Sequence, residues 1–498
     1  MPLGVNRTWV KYVEKGEWPD TRRFFSVMRC NHCSDAPCVA ICPTSALFTR
    51  HDGIVDFDTS RCIGCKSCMQ ACPYDALYID PDDHTAQKCN YCVHRVEIGI
   101  EPACVVVCPE QAIIAGDLDD PASRIARIVA TEQLTQRAPE QGTKPNLWYL
   151  AAETANLDPL AAVSSADGGI WSDPPGIENS WLTIDLTERP EPMPEPTGPR
   201  VVGGGRGPAR VVYNADHPMP WGWRVSSYFL TKGISAGLAI AAAAALIAGV
   251  DPGTTLISWL APLVAGVFLA LTGGLLVWDL KRPDRFLYLL TKGNPGSWLV
   301  RGAWILSAYA AVLGIWFLLG VAGQADAVRV VVWIAAFVAI AVAGYTAFLF
   351  GQAEARDLWQ SPMLVWHMIA AAFAAGGAAS LILAVATDPG RVAVDAFALT
   401  MVAGAAALGL IAAAEIVSRH PTRNVAEAVH HLTRGRYAAE WWLGGQLLGV
   451  LLPVVQGLAV VQNGAPTAVG ALGGLFAMAG VWFADDAYVR AGQSVPLS

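Results

Sequence analysis

All twelve cysteines lie at or before Cys108, and none follows over the rest of the 498 residues. A disulfide framework spread through the chain is therefore excluded, and any metal chemistry is confined to the first fifth. Charge is almost as unevenly placed. From about residue 225 onward, charges are rare inside apolar stretches of Ala, Leu, Val, Gly and aromatics. The net charge of −8 and the lack of any Lys/Arg-rich run leave no footing for nucleic acid. The start of the chain, Met1 to Asp20, has neither an apolar core nor a twin-arginine pair, so an export signal is not predicted. Histidine is scarce, at nine residues, and only His367 falls inside an apolar run. A membrane-bound b-haem takes axial histidines from facing helices, so no haem is expected. No Ser-His-Asp set, phosphate loop or flavin fingerprint marks a site for a soluble substrate. The length exceeds what one compact domain needs.

What is present falls into two unlike halves. In the first, three four-cysteine groups follow one another. They are Cys30-x2-Cys33-x4-Cys38-x3-Cys42-Pro43, Cys62-x2-Cys65-x2-Cys68-x3-Cys72-Pro73 and Cys89-x2-Cys92-x11-Cys104-x3-Cys108-Pro109. The middle group has the spacing of bacterial ferredoxins, where three cysteines hold one 4Fe-4S cube and the fourth ligates a neighbouring cube. Tight loops bring three thiolates to one face of a cube. Gly64 permits close backbone approach, and the proline ends the ligand turn. Cross-ligation predicts one cube on Cys30, Cys33, Cys38 and Cys72, and another on Cys62, Cys65, Cys68 and Cys42. The third group, Cys89, Cys92, Cys104 and Cys108, has no partner group. A third cube there, a self-contained site closed by Cys108, or a zinc site all remain open, since paired CxxC units also build tetrahedral zinc. A fourth cube is expected if a further Cys-rich group precedes Met1. Short strand-like pieces such as Ala46-Leu47-Phe48 and Ala76-Leu77-Tyr78-Ile79 follow the groups, which predicts an α+β ferredoxin-like fold over residues 1–118.

Residues 119–220 show little apolar periodicity. The run Glu188-Arg189-Pro190-Glu191-Pro192-Met193-Pro194-Glu195-Pro196 precedes Gly203-Gly204-Gly205, which predicts an extended Pro/Gly-rich linker. Residues 221–498 are predicted to form an all-α transmembrane bundle of about eight helices. The apolar runs centre on 228–250, 259–278, 302–322, 329–350, 364–386, 396–417, 441–461 and 468–487, each close to the roughly 20 residues that cross a bilayer. Eight spans return the chain to the side of the iron–sulfur domain. Loops on that side carry Lys281, Arg282, Arg285, Lys292, Arg301, Arg356, Arg419, Arg423, Arg434, Arg436 and Arg490, whereas the opposite loops carry Arg329 and Arg391. The positive-inside rule then places the iron–sulfur domain on the cytoplasmic face of a multi-pass protein of the cell membrane.

Ionisable residues in spans are costly and tend to be functional. Lys232, Asp279, Glu354, His367, Glu415, Asp485 and Asp486 all fall at the head-side ends of the runs. A polar pocket beneath the head is what a quinone headgroup requires, because its redox change moves electrons and protons at one place.

Two resemblances sharpen this. The cysteine groups, with Asn6-Arg7-Thr8-Trp9-Val10 before them and Thr143-Lys144-Pro145-Asn146-Leu147-Trp148-Tyr149 after, resemble the iron–sulfur subunits of molybdopterin oxidoreductases over residues 2–150. Polysulfide, thiosulfate and dimethyl-sulfoxide reductases have such subunits. That family usually has four cysteine groups, and this chain lacks the first. The stretches Pro220-Trp221-Gly222-Trp223, Asp279-Leu280-x-Arg282-Pro283-x-Arg285-Phe286 and Gly344-Tyr345-Thr346-x-Phe348-Leu349 resemble the NrfD-type membrane subunit of polysulfide reductase. Together the resemblances imply an electron-transfer and anchor subunit between a separate, molybdopterin-type catalytic subunit and the membrane quinone pool, menaquinone or ubiquinone. They also imply quinone contacts at Tyr345, Asp279, Arg282 and Trp223, and the head-side cluster of ionisable residues adds His367. A different class of function, a redox-sensing iron–sulfur domain coupled to a transport or ion-translocating module, predicts midplane charges and broken helices. Pro453 is the one proline well inside a run, and midplane charges are absent.

Overall fold

The computed structural model describes residues 5–16, 19–164, 209–215 and 218–498. In the head, β1 (Thr8–Lys15) and β2 (Arg22–Arg29) form an antiparallel hairpin. The three cysteine groups follow, and two small antiparallel ladders are set among them. The first joins β3 (Leu47–Thr49) to β4 (Val55–Phe57), and the second joins β5 (Leu77–Ile79) to β6 (Ala86–Lys88). Each ligand loop is built on the same backbone. His32, Gly64 and Tyr91, each two residues after the first cysteine of its group, have φ of 43°, 67° and 58°. Ser45, Asp75 and Gln111, each three residues after the last cysteine, have φ of 47°, 54° and 49°. Three sequence repeats thus fold as three structural repeats.

The expected linker departs from its prediction over its first part. Residues 119–164 are laid against the head as ordered structure. They include a helix at Arg124–Thr131, β7 (Leu134–Thr135) paired with β8 (Tyr149–Leu150), and β9 (Val163–Ser164). Backbone amides of Ser34 and Asp35 donate to the carbonyls of Lys144 and Thr143 at 3.0 and 3.1 Å, and the Tyr149 hydroxyl donates to the Val27 carbonyl at 2.9 Å. The chain returns as β10 (Ala209–Tyr213), which pairs with β1 and makes the four-stranded order β2-β1-β10-β9. Little periodicity marks this coat because single backbone and side-chain hydrogen bonds and a few small buried residues such as Ala155 and Ala162 hold it in place. The Pro-rich and Gly-rich run at 188–205 lies outside the described residues.

Eight helices are long and apolar enough to cross a membrane. They are α1 (Trp223–Ile247), α2 (Leu256–Asp279), α3 (Trp298–Val321), α4 (Ala325–Gly351), α5 (Leu364–Thr387), α6 (Arg391–Val417), α7 (Glu440–Asn463) and α8 (Thr467–Ser494). They pack as two groups of four, α1 to α4 and α5 to α8, joined chiefly where α1 lies on α5. There Gly237 and Gly376 face each other so closely that a Cβ on Gly237 would lie 2.6 Å from the Gly376 Cα. Small residues permit this approach, and dispersion between close backbones is the main attraction available in lipid. Both helices are largely buried inside the bundle, whereas α2 and α3 present mostly apolar surface outward.

Candidate functional site

The cysteines of the first two groups fall into two sets, each with one member from the other group. The thiol neighbours of Cys38 are Cys72, Cys30 and Cys33, and those of Cys68 are Cys65, Cys62 and Cys42. Cys42, Cys62, Cys65 and Cys68 line one small cavity with Pro43, Ile63 and Lys66. Backbone amides point at the sulfurs. Ala46 donates to Cys42 at 3.2 Å, Gly64 and Ala86 donate to Cys62 at 3.4 and 3.3 Å, and His32 donates to Cys30 at 3.5 Å. Such donors stabilise thiolate charge. Burial, with neighbouring thiols adding repulsion and nearby hydrogen bonds opposing it, pushes the Cys33 thiol up to about 11 and the Cys65 and Cys72 thiols up to about 12, so positive charge among them would favour the thiolates. The residues fit two cubes, on Cys30, Cys33, Cys38 and Cys72 and on Cys42, Cys62, Cys65 and Cys68. Bound there, the cubes supply one-electron carriers. Among the described residues, no three His, Cys, Asp or Glu side chains close tightly enough for a single metal ion, and this includes the third group.

The third group repeats the geometry in a more open setting. The Ala112 amide donates to Cys108 at 3.2 Å, as Ala46 does to Cys42, and the Arg29 guanidinium donates to Cys104 at 3.3 Å. Cys89 is buried and has Cys30 as its nearest thiol influence, while Cys92, Cys104 and Cys108 are half-buried. Cys38 of the first cage in turn neighbours Cys68 of the second. The ligand sets therefore run in the order third group, first cage, second cage.

The second cage meets the membrane domain directly. Lys281 and Arg282 donate backbone amides to the carbonyls of Gly64 and Ile63, both at 3.2 Å. Arg285 reaches the Cys62 carbonyl at 2.9 Å, the Asn294 side chain reaches the Cys42 carbonyl at 3.1 Å, and the Trp221 indole reaches the Cys65 carbonyl at 3.3 Å. Lys66, next to Cys65, is ion-paired with Asp279 at 2.7 Å. The loops that carry the basic residues thus touch the head, as the loop assignment required.

Beneath this seam lies a buried polar set. Lys232, nine residues into α1, sits about 13 Å below that helix's head-side end at 1.5 Å per residue. It is 1 % exposed. Its ammonium donates to the Ala343 carbonyl at 3.0 Å and to the Thr346 hydroxyl, and it lies 4.9 Å from the centroid of the Tyr345 ring. Among the described residues it has no carboxylate in ion-pair contact. Tyr228 is the hub, with Tyr345, Asp279 and Asp485 all among its charged or titrating neighbours. The five residues expected at a quinone divide accordingly. Tyr345 and Asp279 are brought to one region through Tyr228. Arg282 is tied to Asp284 and to the Asp83 carbonyl in the seam. Trp223 is exposed, edge-on to Trp278. His367 belongs to the second helix group, bound to Asp485 at 2.8 Å. From the sequence Lys232 stood only among the head-side ionisable residues of the expected pocket, and Tyr228 was not named as a contact. A lysine nine residues inside an apolar span was the available signal.

Cluster cages docked by ligand-residue carbonyls onto an eight-helix membrane bundle define a membrane-anchored iron–sulfur electron-transfer protein. Residues 21–118 match the 4Fe-4S dicluster domain, and residues 211–495 match the family described as polysulphide reductase, NrfD. The chain belongs to that NrfD family and carries the dicluster domain at its N-terminal end. It is 46% identical over 176 residues to a tetrathionate reductase subunit of Salmonella typhimurium, covering 34% of this chain and 70% of that protein. It is 38% identical over 155 residues to one of the polysulfide reductase polypeptides of Wolinella succinogenes, covering 30% and 80%. It is 40% identical over 151 residues to protein NrfC of Escherichia coli, covering 30% and 68%. The protein is an electron-transfer and membrane-anchoring subunit of a respiratory oxidoreductase, and the matches lend no support to redox-gated transport.

Proposed function

We propose that this subunit exchanges electrons between the membrane quinone pool and a molybdopterin-type catalytic partner. The quinone headgroup lies between Tyr345, Lys232 and Tyr228, with the Lys66–Asp279 pair above it. The supporting observation is the placement of Lys232, a buried ammonium with no ion-pair partner among the described residues, beside Tyr345 and under the second cage. An ammonium and a phenol can donate to a ring oxygen, and they stabilise the charge that develops there as electrons arrive. The cubes carry electrons one at a time, so the site must hold its substrate through two transfers in the same place. Tyr345 and Lys232 do this by position, since both are fixed on helices and not on loops. The loop-charge asymmetry supports a cytoplasmic head.

The test is reduction of the clusters by menadiol in Tyr345→Phe, Lys232→Met and Asp279→Asn. The expected result is a loss of about tenfold or more for Tyr345→Phe and Lys232→Met, in line with removing one donor at a charge-developing oxygen, with dithionite reduction unchanged. Wild-type rates in all three variants would overturn the placement of the site.

A further inference from the structure

A quinol that gives two electrons to the cubes must also release two protons, and a quinone reduced there must take two up. The electrons have their path through the second cage, but Tyr345, Tyr228 and Lys232 are buried, so the protons need acceptors inside the protein. We infer that the protons travel through the second helix group, along Asp485, His367 and Glu415 to the head-side surface at Ser361. This route rests on the quinone reading of the Tyr345 region and assigns His367 to proton transfer, not to quinone contact.

Asp485 lies nine residues inside the head-side end of α8, the same depth on that helix as Lys232 on α1, about 13 Å at 1.5 Å per residue. It is 2 % exposed. Its charge acts on both Lys232 and Tyr228, whereas Asp279 acts on Tyr228 and is already paired with Lys66. The Asp485 Oδ1 shares a 2.8 Å hydrogen bond with His367 Nε2, and the Tyr488 ring stacks on the imidazole at 6.2 Å and 15°. Glu415, at the head-side end of α6, is the next carboxylate to influence His367, and it accepts from the Ser361 hydroxyl at 3.1 Å. Ser361 is followed by the exposed residues Pro362 and Met363. Carboxylate, imidazole and carboxylate thus stand in sequence from the buried site to the surface, each a group that accepts and returns a proton.

A second observation places room for water beside His367, one helical turn from Glu415. A small cavity lies against His367 and is lined by Ala412, Leu408, Trp441 and Gln446. Ala412 precedes Glu415 by three residues on α6. Trp441 is 2 % exposed, and its indole N–H has no hydrogen-bond partner among the described residues. A buried donor without a partner costs about 1–3 kcal/mol, and a water in the adjoining cavity would satisfy it. Trp441 and Gln446 lie on the π-helical turns Glu440–Leu451 of α7, a distortion that often accompanies functional sites. In the direction of quinol oxidation, each proton leaves the ring oxygen for the Asp485 carboxylate. It passes to His367 Nε2 and then, through cavity water, to Glu415 and the head-side solvent. The two electrons go to the cubes and onward to the catalytic partner. Quinone reduction runs the same path inward, with the electrons supplied by the partner.

The test uses the full chain with its clusters, in liposomes holding a pH-sensitive dye, with menadiol as the quinol. Asp485→Asn, His367→Gln and Glu415→Gln are expected to slow menadiol-driven cluster reduction at least tenfold. The KM for menadiol should stay within twofold, and reduction by dithionite should be unchanged. Asp485→Ala should regain activity with added formate, and His367→Ala with added imidazole, which a purely structural role would not produce. Asp485→Glu, which keeps the carboxylate, should retain most of the rate. Wild-type rates in the three variants, or a loss that no added acid or base restores, would overturn the route. Wild-type clusters that menadiol does not reduce would overturn the quinone reading, whereas active wild type with indifferent variants overturns the route alone.

Discussion

Replacing Gly64 by alanine probes the joint between the second cage and the membrane domain, and the three repeats supply an internal control. His32 and Tyr91 occupy the equivalent loop positions and carry side chains at φ of 43° and 58°, so a left-handed backbone there does not by itself demand glycine. At Gly64 the obstacle is the membrane domain. A Cβ would sit 2.6 Å from Lys281 Cβ, 2.9 Å from the His84 carbonyl oxygen and 3.0 Å from the Lys281 amide nitrogen. None of these is the free end of a flexible side chain. The left-handed conformation costs a non-glycine about 1 kcal/mol, and forced overpacking adds roughly 1–3 kcal/mol. A total of about 2–4 kcal/mol weakens docking roughly thirty- to several-hundredfold, since each 1.4 kcal/mol is tenfold. Hydrogen exchange reads this directly, because the Lys281 and Arg282 amides donate to the carbonyls of Gly64 and Ile63. The expectation is exchange at those two amides accelerated by that factor, slower menadiol-driven cluster reduction, and unchanged iron content. His32→Ala should leave both amides protected. Wild-type exchange in Gly64→Ala would refute the reasoning.

Three further outcomes follow from the same geometry. Lys66→Met strips the partner from Asp279, whose side chain is 16% exposed, and should destabilise the docked head by about 3–5 kcal/mol; Lys66→Met combined with Asp279→Asn should recover most of this in a double-mutant cycle of thermal cluster bleaching. Lys11 is buried with no hydrogen-bond partner among the described residues, and burial, with Arg137 adding repulsion, pushes its ammonium down to about 8 from the usual 10.5. The folded head therefore binds fewer protons than the unfolded chain between these values, so the penalty is full below pH 8 and is relieved as pH rises toward 10.5. Lys11→Met should raise the bleaching temperature at pH 7, with the gain shrinking by pH 10; an equal gain at both would contradict the burial argument. A cytoplasmic head predicts that protease added outside right-side-out vesicles leaves the 190–205 region intact, and cleavage there would reverse the orientation.

Much of the architecture was legible because it is written in local pattern. Cysteine spacing gave the cages, and apolar runs gave eight helices whose ends lie within about seven residues of those observed, boundaries being the weakest part of such readings. The coat at 119–164 was not legible, because its hold is scattered over single side-chain contacts such as Tyr149 and over backbone bonds such as that from Ser34 to the Lys144 carbonyl, which any side chain permits. Asp279 read only as a quinone contact at a head-side helix end, because nothing local announces its bond to Lys66, 213 residues away in sequence. Arg282 misled in the same way, its charge spent on Asp284 and the head. Trp223 lies on the surface because Trp221, two residues earlier, takes the buried place, stacked on Trp359 at 5.5 Å.

The grip on the second cage explains why that cage, and not the first, faces the membrane. Apart from Lys66, which pairs with the Asp279 carboxylate, the donors named at the joint bind backbone carbonyls of the head. Carbonyl acceptors keep their strength whatever the redox state of the sulfurs beside them, so the joint holds steady while charge comes and goes. The end of the chain reinforces it. Arg356, buried between head and bundle, donates to Gln70, which lies between Cys68 and Cys72, and to the carbonyls of Gln493 and Val495. Gln70 in turn donates to the Gln493 side chain at 2.6 Å. One guanidinium thus ties the loop shared by both cages to α8, the helix that also carries Asp485. The segment that fixes the electron carriers and the helix proposed to carry protons are therefore a single packed unit, and a shift in one must be felt by the other.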